Sequence, residues 1–125
     1  MNERVCLEVA ASASIMPVVR MVVGGMAARV DLSVDELDDV SMALEELLNA
    51  VGEPDGRERY RLVIEAGGEA LRVVVGPFAS ARLRQRLGEP CCELVARVVA
   101  VELRETEAEG TSIVVTKTRG ARSVS

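Results

Sequence analysis

The chain contains no histidine. That absence excludes Ser-His-Asp and Cys-His nucleophile pairs, histidine-ligated zinc and a phospho-accepting histidine, so any chemistry has to come from carboxylates, amides, hydroxyls or thiols. Aromatic residues are almost as scarce: Tyr60 and Phe78 are the only two, and tryptophan is absent. Single-stranded nucleic acid is read largely by stacking on aromatic rings, and phosphate binding needs a basic face. Here the formal charge is −5, divided into twelve acids against five arginines in residues 1–60 (−7) and eight acids against ten basic residues in 61–125 (+2). Nucleic acid is therefore not an expected partner. The three cysteines, Cys6, Cys91 and Cys92, are odd in number with two adjacent, a poor disulfide framework that suits a reducing cytoplasm. No apolar run approaches the ~18 residues that span a bilayer. Glu3 and Glu8 stand where a signal peptide would carry its basic and apolar regions, so no membrane association is expected and the cytoplasm is the expected location.

What remains is a chain of 125 residues, 49% hydrophobic and 28% charged, with no repeat and no linker. A domain of this length buries roughly two-thirds of its unfolded surface and needs no staples. Residues 1–118 read as one domain and 119–125 as a flexible tail. Val5, Leu7 and Val9 alternate with Cys6 and Glu8, which predicts a half-buried strand. Ser12 to Ser14 offer a cap and Pro17 suits a first turn, so a helix is expected over Ile15 to Ala28, with Val18, Val19, Val22, Val23 and Met26 as its apolar stripe. Ser33 and Glu36 have capping-box spacing, and Leu37, Val40, Leu44, Leu47, Leu48 and Val51 follow at intervals of three and four, which predicts a helix from Val34 to Val51.

Arg59 to Glu65 and Leu71 to Val75 are β-rich runs around a Gly67-Gly68 turn, and Val101 to Thr106 and Ser112 to Lys117 form a second pair around Glu109-Gly110. Between the two hairpins, helices are expected over Ala79 to Leu87 and Cys91 to Ala100. Two hairpins do not fit a doubly wound parallel sheet. The expected fold is α+β: a two-layer sandwich with one mixed or antiparallel sheet and its helices on one face.

The segment from Leu32 to Val51 resembles the N-box helix of the GHKL (histidine-kinase-like) ATPase superfamily, in particular its anti-sigma factor serine kinases. Glu45 and Asn49 stand at that family's Glu-x-x-x-Asn spacing with Ala50 after them, the elements on either side follow the family's order, and Gly110-Thr111 takes the place of its terminal Gly-Thr motif. The resemblance covers nearly the whole chain and implies a Bergerat-type fold, ATP with Mg²⁺ as cofactors where the site is competent, Glu45 as general base, Asn49 as a Mg²⁺ ligand, and Gly110 and Thr111 beside the nucleotide. Two residues four apart on a helix do point the same way, an amide oxygen suits Mg²⁺, and a carboxylate can accept a proton from an attacking hydroxyl.

Departures from that family are as informative. Its adenine-binding carboxylate has no counterpart, since no Asp or Glu occurs from Leu71 to Gly88. Its second glycine box is replaced by Gly88-Glu-Pro-Cys-Cys-Glu93, which puts negative charge where phosphates would sit. Arg82, Arg84 and Arg86 in the short lid region read as a solvated surface, and Cys91-Cys92 as small residues at a helix start. The expectation is a regulatory protein resembling an anti-sigma factor, with a degenerate nucleotide site that leaves little or no kinase activity. It would bind a sigma factor or an anti-anti-sigma antagonist, and a homodimer is a further expectation. The alternative is an active serine/threonine kinase that phosphorylates the antagonist.

Overall fold

The computed structural model describes residues 2–10, 15–51, 59–78, 95, 97–106 and 110–120. Its elements are β1 (Glu3–Ala10), α1 (Met16–Ala28), α2 (Val34–Val51), β2 (Arg59–Gly67), β3 (Ala70–Phe78), β4 (Ala100–Thr106) and β5 (Gly110–Thr118). The strands form one five-stranded sheet in the order β1-β2-β3-β5-β4, antiparallel at every junction. The expected α+β class is present, and the sheet is antiparallel rather than mixed. No helix among the described residues is long and apolar enough to cross a membrane.

Alternation decides which side chains meet. Successive residues of a strand point to opposite faces, so Leu7, Leu62, Val75 and Ile113, which lie opposite one another in register, share one face. That face belongs to the same core as Val19, Val23, Met26 and Ala27 of α1 and Val40, Ala43, Leu44 and Leu47 of α2. Both helices therefore cover one side of the sheet. Fully burying a leucine such as Leu44 contributes about 1.5–3 kcal/mol, and its exposure is 1%.

In α1 the apolar stripe is narrower than its sequence suggests. Val18 is 49% exposed and Val22 is half-buried, while Val19 and Val23 are buried. Adjacent helical residues lie about 100° apart, so only one member of each valine pair can face the core. Pro17 occupies the first turn, after Ile15 as N-cap without a side-chain cap bond. The expected Ser12–Ser14 cap lies outside the described residues. So does the helix expected over Ala79 to Leu87. The next expected helix is described only in part: Val99 N–H still donates to the Val95 carbonyl at 3.1 Å, but Ala100 already opens β4 opposite Thr116. That helix is therefore shorter at its C-terminal end than its apolar run implies, because the sheet edge captures Ala100.

Ser41 is 7% exposed on α2, and its hydroxyl has no hydrogen-bond partner among the described residues. Ser41→Ala is expected to raise stability by about 1 kcal/mol, since it removes an unsatisfied buried polar atom and installs the better helix former. The measurement is the urea midpoint, which should rise with an unchanged denaturant slope. A lower midpoint would show that the hydroxyl is satisfied in solution.

Candidate functional site

The start of α2 is held by its own capping residues. Ser33 and Glu36 close both halves of a capping box: Glu36 N–H donates to Ser33 Oγ at 3.1 Å, and Ser33 N–H donates to Glu36 Oε1 at 2.9 Å. The second carboxylate oxygen, Glu36 Oε2, accepts from Gly120 N–H at 2.7 Å. One side chain thus ties the helix start to the segment that leaves β5. The Ser33 backbone bond, and then the Gly120 backbone bond, hold the Glu36 carboxyl below its ordinary value of 4.5. A carboxyl depressed in the folded state contributes stability that is present above its unfolded pKa and lost as pH falls through the folded one. The urea midpoint of Glu36→Gln should therefore fall below wild type at neutral pH, and the gap should close as the pH falls below the ordinary carboxyl value of 4.5. A gap that stays constant to the acid limit would remove Glu36 from this role.

Glu45 and Asn49 lie one turn apart on the outer side of α2, opposite the buried Leu44 and Leu47; both are exposed. Glu45 is not solitary. Arg20 of α1 donates to Glu45 Oε2 at 3.4 Å, with both side chains about half exposed. Thr111 is in a different setting: fully buried on β5, on the helix-covered face and in register with Phe78 and Glu105. Gly110 precedes it with φ +101°, and a Cβ there would sit 2.6 Å from the Phe78 carbonyl oxygen. The space that glycine leaves is filled by the β3 backbone, so it is not an open cradle for a phosphate. Glu45 and Asn49 thus share one helix side, while Gly110 and Thr111 belong to the packed end of the sheet.

A general base needs its carboxylate aligned on the proton it takes, and Mg²⁺ needs several oxygens around it. Among the described residues no group of three or more acidic, cysteine or histidine side chains could hold a metal ion. Asn49 offers one amide oxygen on an exposed helix, and Glu45 is engaged by Arg20. The described residues supply one amide oxygen and one ion-paired carboxylate here, and no chemical step follows from them. Cys91 and Cys92 lie outside the described residues.

Two long-range ties have no sequence signal. Lys117 of β5 donates to Asp39 Oδ2 at 3.0 Å and to the Val98 carbonyl at 2.6 Å, joining α2, β5 and the approach to β4. Arg119 sits 3.0 Å from Glu69 and 3.7 Å from Asp31, so the first two residues of the expected tail, Arg119 and Gly120, are tied to the domain. Residues 121–125 lie outside the described residues. The acids of α2, Asp35, Glu36, Asp38, Asp39, Glu45 and Glu46, are thereby divided. Glu36, Asp39 and Glu45 are used internally, while Asp35 and Asp38 are exposed and, among the described residues, make no ion pair. With this geometry in place, no protein-family model matches the chain, and no curated protein matches it.

Proposed function

We propose that this chain is a cytoplasmic regulatory binding domain of the anti-sigma factor type, built on a GHKL-like fold whose nucleotide chemistry is degenerate. It acts by engaging a sigma factor or an anti-anti-sigma antagonist through its surface. The observation that carries this reading is the state of Glu45: the residue in the general-base position is ion-paired with Arg20 on the outer side of α2, while Gly110 closes on the Phe78 carbonyl. The missing adenine carboxylate adds to it, since a charged hydrogen bond of that kind is worth roughly 1.5–3 kcal/mol. Asp35 and Asp38, exposed at the start of α2, are the acids available to a basic partner.

The experiment is a paired one. The purified chain is titrated calorimetrically with Mg²⁺-ATP, and it is incubated with sigma factor or antagonist domain with and without labelled ATP. The expected result is partner binding without ATP, unchanged in Glu45→Ala and weakened by Asp35→Lys or Asp38→Lys. Saturable micromolar nucleotide binding together with Glu45-dependent phosphate transfer to the antagonist would replace this reading with the kinase one.

A further inference from the structure

The β2–β3 hairpin borders a hollow on the side of the sheet opposite α1 and α2. Its volume is about 260 Å³, and it is lined by Asn2, Glu65, Gly67, Ala70, Arg72 and Thr116. Strand register explains why it is concave. Gly67 lies opposite Ala70 and the two make a floor almost without side chains, while two residues further along the strands Glu65, Arg72 and Thr116 stand in a row. Asn2 closes the β1 side: its carboxamide lies over Gly67, where any Cβ would collide with Asn2 Oδ1.

The charges in this row do not neutralise one another. Glu65 and Arg72 are direct cross-strand neighbours of opposite sign, an arrangement that ordinarily pairs. Among the described residues, however, Glu65 makes no ion pair, and Arg72 reaches only Glu102 at 3.6 Å, too far for a hydrogen bond. Both are half-buried, so each gives up part of its hydration without gaining a close partner. Arg4 lies opposite Glu65 on β1, but it is exposed and does not line the hollow.

We propose that the hollow is a binding site for a free α-amino acid, with the ligand carboxylate held by the Arg72 guanidinium and its ammonium by the Glu65 carboxylate. The lining selects this class. An anion alone would meet Glu65 and a cation alone would meet Arg72, whereas a zwitterion answers both with charge-assisted hydrogen bonds. Opposed residues of antiparallel strands have Cα atoms about 4.5–5.5 Å apart, a spacing that suits two charges carried on one carbon. The Thr116 hydroxyl and the Asn2 carboxamide can each donate or accept, and they are left for polar atoms of the ligand. The volume falls just below the roughly 300–1,000 Å³ of sites for drug-sized ligands, which restricts the occupant to a small molecule. The site does not depend on the regulatory role proposed above.

The test uses the full chain, isotope-labelled, titrated with each standard L-amino acid in turn and followed through its amide chemical shifts. At least one should bind saturably with a dissociation constant of ~1 mM or tighter, moving the amides of Glu65, Gly67, Ala70 and Arg72. The N-acetyl and carboxamide derivatives of that amino acid each lack one of its two charges, and they should bind about tenfold more weakly or worse. The unmodified amino acid should lose as much affinity for Glu65→Gln and for Arg72→Gln, and Ala70→Leu, which fills the floor, should abolish binding. Failure of every amino acid to saturate the chain by ~10 mM overturns the proposal. So does saturation that moves amides elsewhere, or equal affinity for the derivatives. Those three outcomes are read on the wild-type chain, so no variant has to fold for the proposal to fail.

Discussion

Gly110→Ala should lower the unfolding free energy by about 2–4 kcal/mol, whether or not nucleotide is present. Two costs add. At φ +101° an L-residue is held in a region it rarely adopts, and its Cβ would meet the Phe78 carbonyl oxygen at 2.6 Å. That oxygen belongs to the β3 backbone, whose Phe78 is paired with Thr111, so relieving the clash means shifting the β3–β5 junction. The readout is a fall in melting temperature of roughly 10 °C. A normal melting temperature combined with altered ATP binding would instead assign this glycine to a ligand site.

Lys117→Met should cost about 2–3 kcal/mol, a value below that of a fully buried pair because the site is not sealed. Lys117 is 17% exposed and Asp39 34%. Removing the ammonium leaves the Asp39 carboxylate and the Val98 carbonyl without their shared donor, each partly withdrawn from water. Asp39→Asn should cost less, since Lys117 keeps the carbonyl. Lys117→Met/Asp39→Leu should recover part of the loss, because an apolar pair carries no stranded charge. Equal destabilisation in the single and double variants would mean that the two side chains are not coupled. Charge reversal intended to map a docking surface belongs at Asp35 and Asp38, since at Asp39 it would report unfolding as well.

The elements legible in the sequence are those whose cause is local. The helix over Val34 to Val51 follows from a capping box three residues wide and an apolar repeat of three and four, and it has those bounds in the structure. The first hairpin follows from Gly67-Gly68 between two β-branched runs, and the second from Gly110 between two others. These signals act over a few residues, where backbone geometry and turn chemistry leave little choice. They also predict the α+β class and the rejection of a doubly wound sheet. Where local signals compete, as at Val18 beside Val19 or Ala100 beside Val99, the sequence marks the apolar run without telling which residue the core or the sheet takes.

The tertiary structure decided what no local pattern encodes. Nothing near Glu3 indicates that it will lie opposite Ala66, or that β3 will pair with β5 while β4 goes to the edge. Asp39 and Lys117 are 78 positions apart and Glu36 and Gly120 are 84 apart, and these contacts take two acids out of an otherwise uniform acidic helix. Glu45 and Asn49 share a direction from their spacing alone, but their exposure, and the placement of Arg20 beside Glu45, depend on how α1 packs on α2. The pairing of charges between β1 and β2 follows the same logic: period two assigns each strand's residues to a face, whereas only the register between strands aligns Arg4 with Glu65 and Glu8 with Arg61. Spacing along a chain determines direction, and long-range pairing determines neighbours, because the free energy that selects a partner strand comes from the whole buried face rather than from any one segment of it.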